Sequence, residues 1–491
     1  MSAPGGSVRV AVIGAGISGL AAAHRLQELF AGREAALQLK VYEAASRAGG
    51  VMATCRRDGF LVEEGPDSFI TERPWAVRLV ERLGLGGHLI GTRSQFRRSF
   101  IVGRGRLHPT PDGFYLLSPA RILPLLASPL LSPLGKLRAG LDLVLPACRD
   151  PRDESLGAFV RRRLGREVLD RMAQPMISSI YGADPMSLSL LATFPRFRQW
   201  ETDHGSIIRA LRARARRRVP GAATSRAAPG AGSQAASGPR YGLFVTLDGG
   251  LQLLTEALVS RLPAGALRTG VRIDAVQRAR EGRWMVRGPG LEEPADRVIV
   301  ALPGPAAARV LRSTDEILSR CLSQIDYGAA AIIALGYREA DVDHPLDGFG
   351  FVTPAREGLS LLGCTFAHRK FAGRAPEGHA LLRVFHGDAS RSLSDQEITQ
   401  ATLRDLRCVL GAHGEPRFVT VCRHPRALPR YGVGHLERVD RIETRLRACA
   451  GLALAGNAYR GIGLPDCVHS GEEAAESVLA AGLPENGVPA A

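Results

Sequence analysis

Residues 8–43 read VRVAVIGAGISGLAAAHRLQELFAGREAALQLKVYE, and this stretch decides the fold. Val8 to Ile13 is a short apolar run of the kind that forms a buried parallel strand. Ile17 to Phe30 repeats its apolar residues at helical spacing, and Leu37 to Tyr42 reads as a second strand. The stretch therefore predicts a β-α-β unit.

The turn between the first strand and the helix carries three spaced glycines. Gly14 permits a tight turn, Gly16 lets the backbone approach a pyrophosphate, and Gly19 allows close packing of helix on strand. Free N–H groups and the dipole at the helix start attract the phosphates. The sequence therefore predicts a dinucleotide site that begins with six consecutive residues: Gly14, Ala15, Gly16, Ile17, Ser18 and Gly19.

The residues after the second strand favour FAD over NAD. The Glu43 carboxylate can accept both ribose hydroxyls and would repel a 2′-phosphate. Residues 43–50 (EAASRAGG) resemble the E-x(3)-R-x-G-G extension of two-domain flavoproteins related to amine oxidases. A glycine pair lets the backbone pass close to a cofactor, and Arg47 can lie against phosphate oxygens. The predicted FAD contacts here are Glu43, Ala44, Arg47, Gly49, Gly50 and Val51.

A second glycine-rich segment lies near the C-terminus, where residues 455–466 read AGNAYRGIGLPD. Pro465 suits the first turn of a helix, so these glycines precede another helix N-terminus that can face the flavin or its phosphates. Flavoproteins of this kind usually carry Gly-Asp where this chain has Gly456-Asn457. The predicted contacts of this segment are Gly456, Ile462, Gly463 and Leu464.

Composition excludes several classes of protein. The chain has 491 residues, enough for two or three domains, and its 45% hydrophobic content excludes wholesale disorder. The net charge is +16, but only Lys40, Lys136 and Lys370 are lysines among 64 basic residues. Such a skew reflects coding bias, and the arginines are scattered, so no nucleic-acid partner is expected. The eight cysteines form no C-x-x-C pair, and no metal site is expected.

One segment differs in composition from the rest of the chain. Residues 212–240 hold seven arginines and no acids, with almost no large apolar side chains. Such a segment buries too little to offset its ordering entropy, so we predict a disordered Arg-rich insertion.

The N-terminus has no basic segment ahead of its first apolar run, and no apolar run reaches the roughly 18–20 residues of a spanning helix. A cytoplasmic location is therefore expected. Residues 111–146 are rich in Leu and Pro, which suits either buried packing or an apolar docking surface.

Several further segments together resemble the porphyrinogen oxidases of haem synthesis, the coproporphyrinogen III and protoporphyrinogen oxidases. The matching stretches follow the order of that family and span nearly the whole chain. They are residues 62–69 (VEEGPDSF), 135–147, 154–165, 180–195 (IYGADPMSLSLLATFP), 247–254, 347–354, 374–385 and 428–467.

The resemblance implies an α/β fold with a Rossmann-type, discontinuous FAD-binding domain, a mixed-sheet substrate domain and a helical, membrane-facing domain. The implied FAD-binding domain comprises residues 7–90, 244–310 and 440–482. The substrate-binding domain comprises 91–110 and 311–439, and the helical domain 111–211. The family pattern adds further FAD contacts: Gly65, Pro66, Asp67, Ser68 and Val271.

The implied reaction removes six electrons from a porphyrinogen and passes them through FAD to O2, with hydrogen peroxide as the second product. The chemistry is centred on the flavin, so no catalytic side chain is predicted. His204 and His435 stand in matching segments, and a structural role is expected for both. Peripheral contact with the inner membrane face and a homodimer remain open.

The substrate is a large apolar ring with carboxylates, so its pocket needs apolar walls and basic anchors. The family pattern places one wall near Val352, Thr365 and Phe366, and another near Ser179 and Ile180. Residues 99–107 and 363–378 resemble the coproporphyrinogen enzymes more closely, with Ser99 where protoporphyrinogen oxidases tend to carry Arg. Coproporphyrinogen III is therefore the favoured substrate and protoporphyrinogen IX the alternative, with Arg98 as candidate carboxylate anchor.

Two other interpretations remain open at the level of sequence. One is a different amine-oxidase-like flavoenzyme, acting on amines or carotenoid precursors. The other is a non-enzymatic basic adaptor that binds nucleic acid or an anionic membrane through residues 212–240.

Overall fold

The computed structural model describes residues 7–33, 35–111, 114–115, 118–119, 128–217, 244–279 and 282–480. Within these ranges the chain has an α/β fold, as the sequence predicts. None of the helices in this part of the chain is both long enough and apolar enough to cross a bilayer.

A parallel sheet of five strands contains the predicted β-α-β unit. Its two predicted strands and their connecting helix, Ile17–Phe30, have the bounds read from the sequence. Most residues of these strands are apolar because packed elements cover both faces of the sheet. In spatial order they are Leu267–Arg268, Leu37–Tyr42, Val8–Ile13, Arg297–Val300 and Leu452–Leu454.

This parallel sheet brings the two ends of the chain together. Its last strand, Leu452–Leu454, pairs with Arg297–Val300 and leads through a loop into the helix Leu464–Ala480. That helix packs on Ile17–Phe30 so closely that a Cβ on Gly471 would lie 2.2 Å from the carbonyl oxygen of Ser18. Both helices therefore start at the carboxyl edge of one sheet, where ligands of open α/β folds bind.

A second sheet has seven strands and is mixed. Phe100–Gly103 pairs in parallel with Gly350–Val352, and the other neighbours are antiparallel. In spatial order the strands are Phe418–Pro429, Tyr327–Arg338, His379–His386, Gly363–Phe366, Gly350–Val352, Phe100–Gly103 and Arg106–Pro109. Phe100–Gly103 and Arg106–Pro109 form a hairpin because Arg104 and Gly105 turn with positive φ.

Short helices over residues 133–217 surround a core of their own, which includes Phe159, Ile177 and Phe197. The helix Leu156–Leu164 ends at Gly165, whose φ is 92°. The helical segments are Pro133–Gly140, Leu156–Leu164, Arg166–Val168, a π-helical turn Leu169–Ala173, Gln174–Tyr181, Leu190–Thr193, Pro195–His204 and Ile207–Arg217.

The expectation of disorder from residue 212 is wrong for its first six residues. Residues 212–217 continue the helix Ile207–Arg217, because Arg and Ala are strong helix formers and Ile207 and Leu211 anchor it in the core. Residues 218–240 of the predicted insertion lie outside the described ranges.

The remaining elements connect these three parts. The other strands are Thr54–Arg57, Phe60–Glu63, Phe69–Ile70, Leu89–Gly91, Phe114–Tyr115, Ser118–Pro119, Phe244–Leu247, Ala275–Arg278, Trp284–Gly288 and Leu291–Ala295. The other helices are Trp75–Arg82, Gln252–Ser260, Gly304–Val310, Glu316–Ser323, Ala367–Lys370, Asp395–Leu410 and His435–Arg447.

Candidate functional site

The three spaced glycines differ in what surrounds them. A Cβ on Gly19 would lie 1.9 Å from the carbonyl oxygen of Gly14, so this position tolerates only glycine. A Cβ on Gly16 would meet nothing within 4 Å. Gly16 therefore borders open space at the start of the helix Ile17–Phe30, where a pyrophosphate would fit against backbone N–H groups.

Glu43 ties the glycine turn to the next loop. Its carboxylate oxygens accept from the amide of Ala15 at 2.8 Å and from the amide of Ala45 at 2.9 Å. Its backbone carbonyl accepts from the amide of Val271 at 2.9 Å, which places this predicted contact beside the same loop. Ala44, which lies between Glu43 and Ala45, is exposed.

Arg47 braces the glycine pair that follows it. Its guanidinium donates to the carbonyls of Ala48, Gly50 and Met52 at 2.9–3.2 Å. Gly49 in turn donates to Ala15 at 2.8 Å, so this loop lies directly against the glycine turn. The guanidinium thus shapes the loop from within, and the phosphate contact expected of it remains a proposal.

The C-terminal glycine segment forms a second open edge. A Cβ on Gly456 would meet nothing within 4 Å, while Gly463 donates to the Asp466 carboxylate at 3.1 Å. Asp466 also pairs with Arg73, which fixes the start of the helix at Leu464. Ile462, just ahead, is half-buried.

These residues fit an FAD. Open space borders Gly16 and Gly456, and two helix N-termini face the same edge of the parallel sheet. The side chain of Val51 beside them is 47% exposed, although it is a large apolar group. A dinucleotide lying along this edge would meet the open glycines and cover Val51.

The predicted segment Gly65–Ser68 is held by cations from the seven-stranded sheet and its neighbouring helix. Lys370 Nζ lies 2.9 and 3.0 Å from the two Asp67 carboxylate oxygens and donates to Ser68 at 3.0 Å. Arg383 lies 3.2 Å from the same carboxylate and donates to the Gly65 carbonyl at 2.5 Å. The Asp67 side chain is thus engaged with protein, and Pro66 lies within the same bridge.

Charge keeps this cluster ionised. Burial alone would raise the pKa of Asp67, but the Lys370 ammonium and the Arg383 guanidinium outweigh burial and hold that pKa well below its usual range. Asp67 therefore stays a carboxylate at any physiological pH, and the cluster carries one net positive charge. Sequence motifs did not point to Lys370 or Arg383; the available signal was an arginine inside the apolar strand His379–His386.

Three of the predicted residues, from different parts of the fold, border the same hydrophobic core. Ile180, Val352 and Ile462 all pack, half-buried, against the core of the helical segments. The helix Gln174–Tyr181 contacts the strand Gly350–Val352, and Gln174 accepts from the Ala355 amide at 3.0 Å. Residues predicted for the substrate wall and a residue predicted as a flavin contact therefore border one core.

Thr365 and Phe366 lie on opposite faces of the seven-stranded sheet. Phe366 is fully buried with Cys364 on the sheet face that packs against the helix Asp395–Leu410, which we call the outer face. The structure therefore does not support the prediction of Phe366 as a pocket wall. Side chains alternate along a strand, so Thr365 faces the other way. It pairs in register with Arg383, the residue that reaches Gly65.

Two further predicted residues lie at the margins. Ser179 is half-buried next to Ile180, and its hydroxyl donates to the Met176 carbonyl at 2.8 Å. Arg98 pairs with Asp347 at 2.8 Å, with both side chains largely exposed. Exposed ion pairs of this kind are weak, so the Arg98 guanidinium can exchange to another carboxylate at little cost.

Comparison with known proteins agrees with this geometry. A family model described as "Flavin containing amine oxidoreductase" matches residues 17–479. The chain belongs to this family. Its cofactor is accordingly FAD.

Relatives of this flavoprotein match nearly its full length. The "Coproporphyrinogen III oxidase" of Bacillus subtilis is 33% identical over 96% of this chain and 98% of its own length. The enzyme of the same name from Propionibacterium freudenreichii is 38% identical, over 96% and 91%. A crystal structure from Exiguobacterium, provisionally named protoporphyrinogen oxidase, superimposes with a TM-score of 0.81 at 30% identity, covering 96% of this chain and 98% of that one. The chain is therefore a member of the porphyrinogen oxidase group.

Proposed function

We propose that this flavoprotein oxidises coproporphyrinogen III to coproporphyrin III in haem biosynthesis. The observation that carries the proposal is the full-length similarity to two curated enzymes named coproporphyrinogen III oxidase, at 33% and 38% identity. Protoporphyrinogen IX is the alternative substrate, favoured by the Exiguobacterium relative.

FAD, when bound, supplies the oxidising chemistry, so the side chains need only bind, orient and exclude water. Gly14–Gly19 and Gly456–Leu464 would hold the cofactor along the sheet edge, with Glu43 at its ribose. The bridge from Lys370 and Arg383 fixes Gly65–Ser68 against the seven-stranded sheet. We propose that six electrons and six protons leave each porphyrinogen in three two-electron oxidations, which reduce three O2 to three molecules of hydrogen peroxide.

The proposed substrate wall is formed by Ile180, Val352 and Thr365, with Ser179 at its margin. Ile180 and Val352 are apolar and half-buried, which suits contact with a large macrocycle. Arg98 would leave Asp347 to bind a substrate carboxylate, because an exposed pair costs little to break.

We also propose peripheral contact with an anionic bilayer. Four apolar side chains on adjacent turns are exposed: Leu134 (77%), Leu137 (67%), Leu141 (42%) and Val144 (74%). Three of them, Leu137, Leu141 and Val144, line a groove of about 700 Å³ that Lys136 also lines. The one acid in this stretch, Asp142, is buried on Arg163, so the surface presents apolar and positive groups.

Two experiments test these proposals separately. Anaerobic addition of coproporphyrinogen III should bleach the flavin absorbance and, on admission of air, release peroxide; an unchanged spectrum would refute the activity. Leu134→Ser with Leu137→Ser should weaken sedimentation with phosphatidylcholine vesicles containing phosphatidylglycerol. The exposed Ile317→Ser elsewhere on the surface is the control, and equal sedimentation of both variants would refute the membrane contact.

A further inference from the structure

The hydroxyl of Tyr431 lies inside the C-terminal loop that precedes the helix at Leu464. It donates to the carbonyl of Asn457 at 2.5 Å and accepts from the amide of Gly461 at 3.0 Å. The residue itself is only 2% exposed. A single hydroxyl therefore closes residues 457–461 into a fixed loop.

The environment keeps both hydrogen bonds in place. Burial raises the pKa of Tyr431, so its hydroxyl keeps the proton that it donates. Its ring stacks on His435, with centroids 4.1 Å apart and planes 15° apart. His435 is fully buried, and its Nε2 donates to the carbonyl of Tyr459 at 2.9 Å. The stacked pair therefore holds the loop at three carbonyl or amide groups.

The backbone of Tyr431 reaches in the opposite direction, to the helical segments. Its carbonyl accepts from the amide of Ser189 at 2.7 Å, and Gly432 forms a β-bridge with Leu188. Ser189 caps the helix Leu190–Thr193. Tyr431 thus joins two regions, the glycine segment and the helical segments that carry Ser179 and Ile180.

We infer that Tyr431 is a positioning residue that sets the glycine segment 456–464 relative to the helical segments. This inference rests on the proposed role of residues 456–464 in holding FAD. It adds that the alignment of cofactor and substrate wall depends on the Tyr431 hydroxyl. A local sequence motif does not indicate this role, because the hydrogen bonds of the Tyr431 hydroxyl join it to Asn457 and Gly461, which lie 26 and 30 positions further along the chain.

Tyr431→Phe tests this inference because it removes the hydroxyl and keeps the ring. We expect amide exchange at Gly461 to accelerate at least about fivefold and the FAD dissociation constant to rise about tenfold, as for two lost neutral hydrogen bonds. Because Tyr431 acts on alignment, kcat for the porphyrinogen should fall several-fold while KM changes less than about twofold.

A matched variant separates positioning from general loss of a tyrosine hydroxyl. Tyr327→Phe removes a buried hydroxyl that accepts from the Gly304 amide at 3.0 Å, outside residues 456–464. This variant should bind FAD and exchange its Gly461 amide as the wild type does.

The outcomes distinguish this inference from the assignment on which it rests. Faster exchange at Gly461 with unchanged FAD affinity and kcat would overturn the positioning role. An unchanged exchange rate at Gly461 in Tyr431→Phe would show that the hydroxyl does not hold the loop, and would also overturn the inference. If FAD does not slow exchange of residues 456–464 in the wild type, the cofactor assignment of the segment fails, and the inference fails with it.

Discussion

Arg383 donates a 2.5 Å hydrogen bond to the carbonyl of Gly65, from a strand of the seven-stranded sheet to a segment that follows the strand Phe60–Glu63. The arginine is only 1% exposed, and its second partner is the Asp67 carboxylate. The Asp67 carboxylate balances the buried guanidinium charge, and the Gly65 carbonyl accepts from one of its N–H groups, which together offset the cost of its burial. The pair therefore fixes the proposed flavin segment on the sheet that carries the proposed substrate wall.

Replacing Arg383 should destabilise the protein strongly. Arg383→Met leaves the Gly65 carbonyl without its donor and Asp67 with Lys370 alone, so we expect a loss of about 3 kcal/mol in the free energy of unfolding. Urea unfolding of the holoenzyme measures it. Arg320→Met is the control, because Arg320 pairs with Glu316 at 67% and 78% side-chain exposure, where a loss below about 1 kcal/mol is expected. Equal losses in the two variants would show that the buried Arg383 contributes no more to stability than an exposed ion pair does.

The glycine turn should separate cofactor binding from folding. Gly16→Val places its side chain in space that is open in the protein, so the variant should fold but retain no FAD. Gly19→Ala puts a methyl group 1.9 Å from the Gly14 carbonyl oxygen, so this variant should be strongly destabilised and should not fold normally. Flavin absorbance and circular dichroism of both purified variants check this. A folded Gly16→Val protein with normal flavin content would contradict the assignment.

Acid should destabilise the protein partly through His368. Burial, together with the charge of Arg369, lowers the pKa of His368 to about 4. Below about pH 6.5 His368 therefore binds a proton in the unfolded chain but stays neutral in the folded protein. The free energy of unfolding therefore falls as pH falls from about 6.5 towards 4. Between pH 7 and pH 5 this group should cost about 2 kcal/mol.

The variant His368→Asn isolates this contribution, because its side-chain oxygen can still accept from the Leu381 amide that His368 binds at 3.2 Å. Urea unfolding at both pH values should show a smaller loss in the variant. Parallel pH profiles for variant and wild type would rule out His368 as the source.

The two faces of the seven-stranded sheet should respond differently to substitution. Val352→Phe places a larger side chain on the proposed substrate wall and so reduces the space for the macrocycle. It should raise KM for the porphyrinogen several-fold, with flavin content unchanged. Phe366→Leu removes volume from the core of the outer face and should cost about 1–3 kcal/mol of stability with little change in KM. Steady-state kinetics and urea unfolding of both variants test this, and an unchanged KM in Val352→Phe would remove Val352 from the wall.

Local patterns predicted the parts of the fold that are contiguous in sequence. The bounds of Val8–Ile13, Ile17–Phe30 and Leu37–Tyr42 follow from hydrophobic period and from glycines whose sterics are local. The orientation of Phe366 could not be read in this way, because one residue of register decides which sheet face a side chain joins. Arg383 and Tyr431 were also missed, since their roles depend on partners that lie far away in sequence.

We propose that this flavoprotein oxidises a porphyrinogen and prefers coproporphyrinogen III. The most direct measurement is the appearance of porphyrin fluorescence with coproporphyrinogen III and protoporphyrinogen IX side by side, compared as kcat/KM on the FAD-loaded protein. We expect turnover with a higher kcat/KM for coproporphyrinogen III. A higher value for protoporphyrinogen IX would overturn the substrate preference, and no fluorescence from either by a fully flavin-loaded protein would contradict the claim itself.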